Sequence, residues 1–132
     1  MSALLDTHCF LWAVTDPTRI PANVREFVAD PANEIALSTV TFWEIAIKFA
    51  LGKLELQGGT PDDLLPAARE MGLTIVTPTA EESIGFHKLP KTAHRDPFDR
   101  MLIWQCLQRH WTLISRDGDL DEYRAMGLKT LW

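Results

Sequence analysis

Apolar residues in this chain follow two alternating patterns: short continuous runs, and longer segments with helical spacing. A short apolar run is typical of a strand that is buried on both faces of a sheet. Such runs predict five strands, at residues 2–6, 34–38, 73–78, 112–115 and 128–132. Apolar positions three or four residues apart predict seven helices between them, at residues 7–14, 21–30, 41–52, 61–72, 80–89, 97–110 and 120–127.

The alternation of strands and helices indicates an α/β fold and not a helical bundle. Parallel strands joined by crossover helices have helices on both of their faces. We therefore expect a three-layer sandwich, with a mostly parallel central sheet flanked by helices. No repeat, low-complexity tract or linker interrupts the pattern, and 132 residues suit a single domain that covers residues 1–132.

The composition of the chain predicts where the protein is located and the state of its cysteines. Hydrophobic residues make up 46% of the chain, but no apolar run approaches the roughly 20 residues of a spanning helix, and the first residues lack a signal-peptide pattern. The sequence thus predicts a soluble, cytoplasmic protein without a membrane partner. Cys9 and Cys106 lie far apart and among bulky apolar residues, so we expect buried, reduced thiols.

Charge is unevenly distributed along the chain, which has a net charge of −5. Residues 1–66 carry four basic and nine acidic side chains, whereas residues 67–132 carry nine of each. Within the second half, four basic residues lie beside two histidines, in the order His87, Lys88, Lys91, His94, Arg95 and Arg100. This strip is either a solvated surface or a path that leads a polyanion toward nearby acids.

Four acidic residues fall where the carboxyl ends of the predicted strands would open. Ligands of parallel α/β sheets bind at this end. Asp6 follows the first strand, Glu44 lies in the first turn of the helix after the second strand, Asp99 begins the strongest helix, and Asp117 follows the fourth strand. We expect these four side chains to converge.

Clustered carboxylates repel one another and need cations or protons to be tolerated. Neither cysteine and no spaced histidine pair is available for a softer metal. Ligation by oxygen alone favours Mg²⁺ or Mn²⁺ as the cofactor.

Each of these acids also has a purely structural interpretation. In "DPFD", Asp96 fits an N-cap and Pro97 the first helical position. In "TFWE", Thr41 and Glu44 have the spacing of a capping box. Either acid of "RDGD", residue 117 or 119, would suit an Asx turn. Asp6 is harder to explain in this way, because an acid directly after a buried strand usually has a specific partner.

Other enzyme chemistries lack their motifs. An aspartyl-phosphate transferase needs a second acid two residues after the first strand's aspartate, where this chain has His8. A receiver domain would need an acidic pair before that aspartate, which is missing. The glycine-rich phosphate loops and the G-x-S-x-G elbow are absent as well. His94, within the basic strip, is a candidate substrate contact.

Four blocks in order, "LLDTHCFLW", "LSTVTFWEIAIKFALGKLEL", "HRDPFDRMLIWQ" and "LISRDGDLDEY", resemble the signatures of PIN-domain ribonucleases, and among them the VapC-type toxins of type II toxin-antitoxin systems. The resemblance covers essentially the whole chain. It implies a metal-binding and catalytic quartet, which would here be Asp6, Glu44, Asp99 and Asp117.

The resemblance also implies supporting residues and partners. Thr7 and Ser115 match supporting hydroxyl positions, and Asp96 is a neighbouring acid of less certain role. Arg95 and Arg100 would contact the RNA backbone. Members of the family form dimers and are inhibited by a small antitoxin whose tail occupies the acidic site.

The resemblance implies a toxin that cleaves RNA with metal-activated water. Two alternatives stay open: a non-catalytic RNA-binding or scaffold module with the same fold, and a magnesium-dependent phosphatase. One departure from the family pattern is Trp104, where relatives usually carry a small residue. It raises the question of how the helix over residues 97–110, apolar on more than one face, is packed or shared with another subunit.

Overall fold

Five short strands form the centre of the computed structural model, which describes residues 1–132. The strands are β1 Ser2–Leu5, β2 Glu34–Ser38, β3 Thr74–Val76, β4 Thr112–Ile114 and β5 Lys129–Leu131. The helices are α1 Thr7–Thr15, α2 Ala22–Ala29, α3 Thr39–Ala50, α4 Leu64–Glu70, α5 Ala80–Gly85, α6 Pro97–Arg109 and α7 Asp121–Arg124. All the predicted elements are present. The structure also has three short 3-10 turns, at Pro17–Arg19, Pro61–Asp63 and Phe86–Lys88, and the last two form the beginning and the end of the helices predicted over residues 61–72 and 80–89.

The strands make one sheet in the order β3-β2-β1-β4-β5, and every pair is parallel. The sequence predicted a mostly parallel sheet, and the observed sheet has no antiparallel edge. β1 lies in the middle, where Leu4 pairs with Ala36 on one side and with Leu113 on the other.

Alternate residues of the central strands point to opposite faces of the sheet. Ala3 and Leu5 belong to one core, with Phe10 of α1 and Val24 of α2. Leu4 belongs to a second core. The α-helical residues of that second core come from α3, α6 and α7 and are Val40, Leu102, Ile103, Trp104, Cys106 and Tyr123. The predicted three-layer sandwich is confirmed, since each face of the sheet has its own apolar layer.

Helix α6 is buried on several sides by its own chain. Five consecutive residues, Leu102 to Cys106, are all buried. Trp104 is 8% exposed, and its indole N–H donates a hydrogen bond of 2.8 Å to the Glu82 carbonyl. A Cβ on Gly85 would lie 3.3 Å from the Trp104 ring, so the glycine leaves room for the tryptophan. Packing within the chain therefore accounts for the unusual tryptophan.

Glu82, whose carbonyl accepts the Trp104 hydrogen bond, also forms an ion pair with the half-buried Arg109. Arg109 reaches both carboxylate oxygens of Glu82, with Nε to Oε2 and Nη2 to Oε1 each at 2.8 Å. The Arg109 hydrogen bond holds the pKa of Glu82 below its ordinary value, although partial burial opposes the shift. The Glu82 side chain also accepts from the Thr79 backbone N–H at 2.8 Å, which fixes the start of α5. α5 and α6 are thus joined by polar contacts as well as by apolar packing.

The structure also bears on the predictions made for the cysteines and for membrane-spanning helices. Cys9 and Cys106 are both buried and both free, as the sequence predicted. None of the helices has the length and apolarity needed to cross a bilayer.

Candidate functional site

The sheet has a switch point beside β1, because β2 lies on one side of it and β4 on the other. The helices that follow β1 and β4 pack on opposite faces, which leaves a crevice at the carboxyl ends of these two strands. Leu5 pairs with Ile114, so Asp6 and Ser115 leave the sheet at the same level. The Asp6 N–H donates to the Ile114 carbonyl at 3.0 Å. The two neighbouring strand ends thus bring their next residues together.

A cavity of about 340 Å³ opens at this crevice. Three of the four predicted acids line it: Asp6, Asp99 and Asp117. Ser115 lines it as well. The predicted convergence of these segments is therefore present in the fold.

Asp6 has a structural role besides its place in the cavity. It is the N-cap of α1, and its Oδ1 accepts a hydrogen bond of 2.8 Å from the Cys9 N–H. The side chain is half-buried, and only one oxygen is used by the cap. The other oxygen has no hydrogen-bond partner in the protein.

The predicted capping box at Thr41 and Glu44 is wrong. Helix α3 begins at Thr39, and Ser38 is the residue whose side chain accepts a backbone N–H, that of Val40 at 3.1 Å. Glu44 consequently lies in the second turn and not in the first. Both serine and threonine suit an N-cap, and here the Ser38 hydroxyl makes the cap while the Thr41 hydroxyl lies 3.1 Å from that of Thr7.

Glu44 is 2% exposed, and its side chain is held by two neighbours, Thr7 and Lys48. The Thr7 hydroxyl donates to Glu44 Oε1 at 2.7 Å, and it lies 3.1 Å from the Thr41 hydroxyl. Lys48, one turn further along α3, pairs with Glu44 Oε2. Thr7 was predicted as a supporting hydroxyl, and its contact with Glu44 links the start of α1 to α3 at the site.

The Lys48 ammonium neutralises part of the acidic cluster. Burial alone would lower the pKa of Lys48, but its hydrogen bond to Glu44 and the charges of Glu44, Asp96 and Asp99 outweigh that effect and raise the pKa. Glu44 and Lys48 have the i and i+4 spacing that is typical of ion pairs on a helix surface, but here the carboxylate of the pair is buried.

Asp96 starts α6, as predicted. Its Oδ1 accepts from the N–H groups of Phe98 and Asp99, at 2.9 and 3.2 Å, and Pro97 follows at the first helical position. Asp99 is in the first turn of α6. The two acids of "DPFD" therefore differ in their contacts: one oxygen of Asp96 is occupied by the cap, while the Asp99 side chain faces the cavity.

Asp117 makes the Asx turn that the sequence left open between two residues. Its Oδ1 accepts from the Asp119 N–H at 2.9 Å, while Asp119 itself is exposed. The Ser115 hydroxyl accepts from the Asp117 N–H at 3.0 Å. These two contacts orient Asp117 so that its Oδ2 faces His94 Nδ1, at 3.5 Å.

His94 lies between two of the acids. Its Nε2 is 3.1 Å from Asp99 Oδ2, and its other ring nitrogen faces Asp117. The sequence indicated this histidine only as a candidate substrate contact in a basic loop. Its place between two carboxylates is a tertiary effect, because Asp117 comes from a strand end 23 residues later in the chain.

Two sets of three side chains could each hold a metal ion, because the ligand atoms within each set all lie within 4.8 Å of one another. One set is Glu44, Asp96 and Asp99, and the other is His94, Asp99 and Asp117. Asp99 belongs to both sets, so it is the centre of the acidic cluster. Asp6 belongs to neither set, although it shares the cavity with Asp99 and Asp117. Oxygen donors predominate, which is the donor chemistry that Mg²⁺ or Mn²⁺ prefers.

The two predicted RNA contacts, Arg95 and Arg100, do not line the acidic cavity. Arg95 is exposed, and together with Lys91, His94 and Arg100 it lines a second pocket that contains no hydrophobic residue. The guanidinium group of Arg100 donates to the carbonyls of Leu89 and Pro90, each at 3.2 Å. It also donates to Tyr123 Oη at 2.9 Å. Arg100 therefore holds the loop before α6, and its contact with RNA stays a prediction.

The pKa of Asp99 is raised to about 6 by burial and by the charges of Asp96 and Glu44, while its hydrogen bond with His94 acts in the opposite direction. The folded protein thus holds a proton on Asp99 more tightly than the unfolded chain does. In the absence of metal, the charged form of Asp99 destabilises the fold above about pH 6, and this penalty disappears as the pH falls toward 4.

Replacement of Asp99 with asparagine should therefore raise the melting temperature of the metal-free protein at pH 7.5. We expect a gain on the order of 1 to 2 kcal/mol, since the side chain is partly exposed, and a smaller gain at pH 4.5. Thermal unfolding in EDTA at both pH values measures it. Asp119→Asn is the matched control, because that side chain is exposed and outside both sets. A difference between Asp99→Asn and wild type that does not change with pH would contradict the expectation.

The sequence of this chain matches a known protein domain family. The sequence profile of the PIN domain family matches residues 3–126. This chain belongs to the PIN domain family. The match includes all four acids that the sequence had indicated, since they lie between residues 6 and 117.

Known relatives of this PIN domain match it along nearly its whole length. Ribonuclease VapC22 of Mycobacterium tuberculosis is 23% identical over 131 residues, which cover 99% of this chain and 98% of that protein. The solved structure of VapBC2 from Rickettsia felis, bound to a DNA fragment from its promoter, has a TM-score of 0.73 at 18% identity and covers 99% of this chain and 98% of the other.

A second solved structure is VapBC-5 of Mycobacterium tuberculosis, a member of the VapBC family of toxin-antitoxin systems. It has a TM-score of 0.62 at 15% identity and covers 98% of this chain and 97% of the other. At such identities the likeness of the structures shows a shared fold.

Proposed function

We propose that this PIN domain is a metal-dependent endoribonuclease that acts as the toxin of a toxin-antitoxin pair. The observation that carries the proposal is the meeting of acids from four distant segments at the switch point of the sheet. Asp6, Asp99 and Asp117 share one cavity, and Glu44 lies within 4.8 Å of Asp99 by its ligand atom. The name of the curated relative, a ribonuclease, supports the same activity.

The acids would hold one or two divalent ions, Mg²⁺ or Mn²⁺. Asp6, Glu44 and Asp99 are the proposed ligands of the principal ion, and Asp117 of a weaker or second ion. A bound divalent ion supplies an activated water and positive charge at the phosphorus of a phosphodiester. Asp99 fits this role best, because burial and the charges of Asp96 and Glu44 raise its pKa, and a bound cation would favour its charged form.

The other side chains of the site position these carboxylates. The Thr7 hydroxyl fixes Glu44 Oε1, and the Ser115 hydroxyl fixes the turn that carries Asp117. Asp96 fixes the first turn of α6, from which Asp99 projects. Supporting roles for Thr7, Ser115 and Asp96 are consistent with these contacts. Arg95, which is exposed in the basic loop, would contact the RNA backbone.

The proposal includes a protein antitoxin and a homodimer. VapBC structures of the same fold support the antitoxin, whose tail would occupy the acidic cavity. A short neighbouring gene for a DNA-binding protein would support this pairing.

For the dimer, the apolar residues of α6 are weaker support than the sequence suggested, since many of them are buried within the chain. Trp43, 61% exposed and packed edge-on against Phe98, still offers an apolar surface for a second copy. A cytoplasmic location stays a prediction.

The test is cleavage of a labelled single-stranded oligoribonucleotide by the purified protein. We expect cleavage in Mg²⁺ or Mn²⁺, its complete loss in EDTA, and its return when the divalent ion is restored in excess. Products are resolved on a denaturing gel. RNA binding without cleavage in either metal would indicate a non-catalytic module instead. Hydrolysis of p-nitrophenyl phosphate without RNA cleavage would indicate a phosphatase.

A further inference from the structure

One wall of the acidic cavity is basic and aromatic. Besides the three aspartates, the cavity is lined by His8, Trp12 and Arg116. His8 and Arg116 are exposed, and Trp12 is half-buried. None of these three residues is used by the proposed metal site.

Arg116 is free of intramolecular polar partners. It lies between Ser115 and Asp117 in sequence, yet its guanidinium makes no hydrogen bond or ion pair within the protein. The arginines at 100, 109 and 124 are hydrogen-bonded to carbonyls, carboxylates or hydroxyls of the chain. Four others, at 19, 25, 69 and 95, are free like Arg116, but Arg116 is the arginine that lines the acidic cavity. The donors of Arg116 are therefore available to a ligand of the cavity.

Trp12 fixes the place of Arg116 at the cavity wall. The Arg116 guanidinium carbon lies 5.6 Å from the centre of the Trp12 ring, within the range of a cation–π contact. The same ring contacts Arg19 at 4.9 Å and Trp132 at 5.8 Å, so it is held from other directions. His8 lies 6.0 Å from Trp12 by ring centres, one helical turn earlier in α1.

The guanidinium of Arg116 and the exposed imidazole of His8 lie beside the proposed metal site, where they could bind single-stranded RNA. Arginine binds phosphate oxygens through two parallel donors, and bases stack on guanidinium or imidazole planes. We propose that Arg116, held by Trp12, forms with His8 the subsite for the nucleotide next to the cleaved phosphate. This inference rests on the proposed ribonuclease function, and it assigns RNA contacts that differ from those of Arg95.

The test compares Arg116→Ala and His8→Ala with Arg69→Ala. Arg69 is exposed in the last turn of α4, which leads into the amino end of β3 and so away from the cavity. Arg69→Ala removes the same charge as Arg116→Ala. Affinity for a labelled single-stranded oligoribonucleotide is measured by fluorescence anisotropy in an Asp6→Asn background, so that the RNA stays intact, and steady-state cleavage is measured in the active protein.

We expect Arg116→Ala to weaken RNA binding and raise KM about tenfold with little change in kcat. The slope of log affinity against log salt should fall by about 0.7, as for one lost phosphate contact on a single strand. Arg116→Lys should keep the salt slope and recover only part of the affinity, because the ammonium lacks the planar fork. His8→Ala should weaken binding about threefold, through lost stacking alone.

Equal effects of Arg116→Ala and Arg69→Ala would overturn the subsite, since they would reflect net charge only. So would a loss confined to kcat. An acidic peptide whose binding depends on Arg116 while RNA binding does not would assign this wall to a protein partner instead. A wild-type protein that fails to cleave RNA in either metal would refute the proposed function, whereas unchanged RNA binding by Arg116→Ala refutes the subsite alone.

Discussion

Replacement of Asp6 with asparagine should abolish RNA cleavage and leave the fold intact. Asparagine keeps the side-chain oxygen that accepts the Cys9 N–H, so the cap of α1 is preserved. It removes the negative charge that a divalent ion needs from its ligands. Since a bound metal contributes several kcal/mol to such a reaction, we expect the rate to fall by at least about 100-fold. The melting temperature should stay the same or rise, because one of several repelling carboxylates is lost.

Asp30→Asn is the matched control for this experiment. Asp30 is exposed, and its Oδ1 also accepts a backbone N–H, that of Ala32 at 2.9 Å. It precedes β2 and so lies near the amino ends of the strands, away from the cavity. The control should cleave RNA like the wild type. Wild-type cleavage by Asp6→Asn in the presence of Mg²⁺ or Mn²⁺ would remove Asp6 from the metal site.

Replacement of Trp104 with alanine should destabilise the protein by about 3 to 5 kcal/mol, the usual range for a buried large aromatic residue. The indole is 8% exposed and fills the space beside Gly85. Its loss would leave a cavity and an unpaired Glu82 carbonyl in the layer that joins α5 to α6. Chemical denaturation gives the free energy of unfolding directly.

Trp43→Ala provides the comparison for Trp104→Ala. Trp43 is 61% exposed, so its removal should cost the monomer about 1 kcal/mol or less. Equal losses for the two variants would mean that Trp104 is not a core residue. A loss below about 1 kcal/mol for Trp104→Ala would mean that the helix repacks around the smaller side chain.

Local chemistry explains why some site residues could be predicted from sequence. Asp96 and Pro97 define the start of α6 through their own hydrogen-bonding and φ preferences, and the structure confirms both positions. Asp6 was indicated because an acid directly follows a buried strand. The order and type of all twelve regular elements followed from the spacing of apolar residues.

Other features depend on contacts between distant segments. Ser38 and Thr41 are both good N-cap residues, and in the structure Ser38 caps α3 while the Thr41 hydroxyl contacts the distant Thr7. The sequence indicated Arg100 as a free basic side chain, whereas in the structure it donates to the loop carbonyls of residues 89 and 90. Likewise, His94 meets Asp117 because α6 packs on the sheet in the same core as β4.

The sequence by itself thus determined the elements, the parallel α/β class and the acids that leave the ends of the strands, since these depend on periodicity and on the chemistry of neighbouring residues. The tertiary structure alone decided the strand order, the central position of Asp99, and the place of Lys48 and His94 among the carboxylates. These depend on which strands lie side by side, and strand pairing is fixed by the packing of the two cores and not by any local signal.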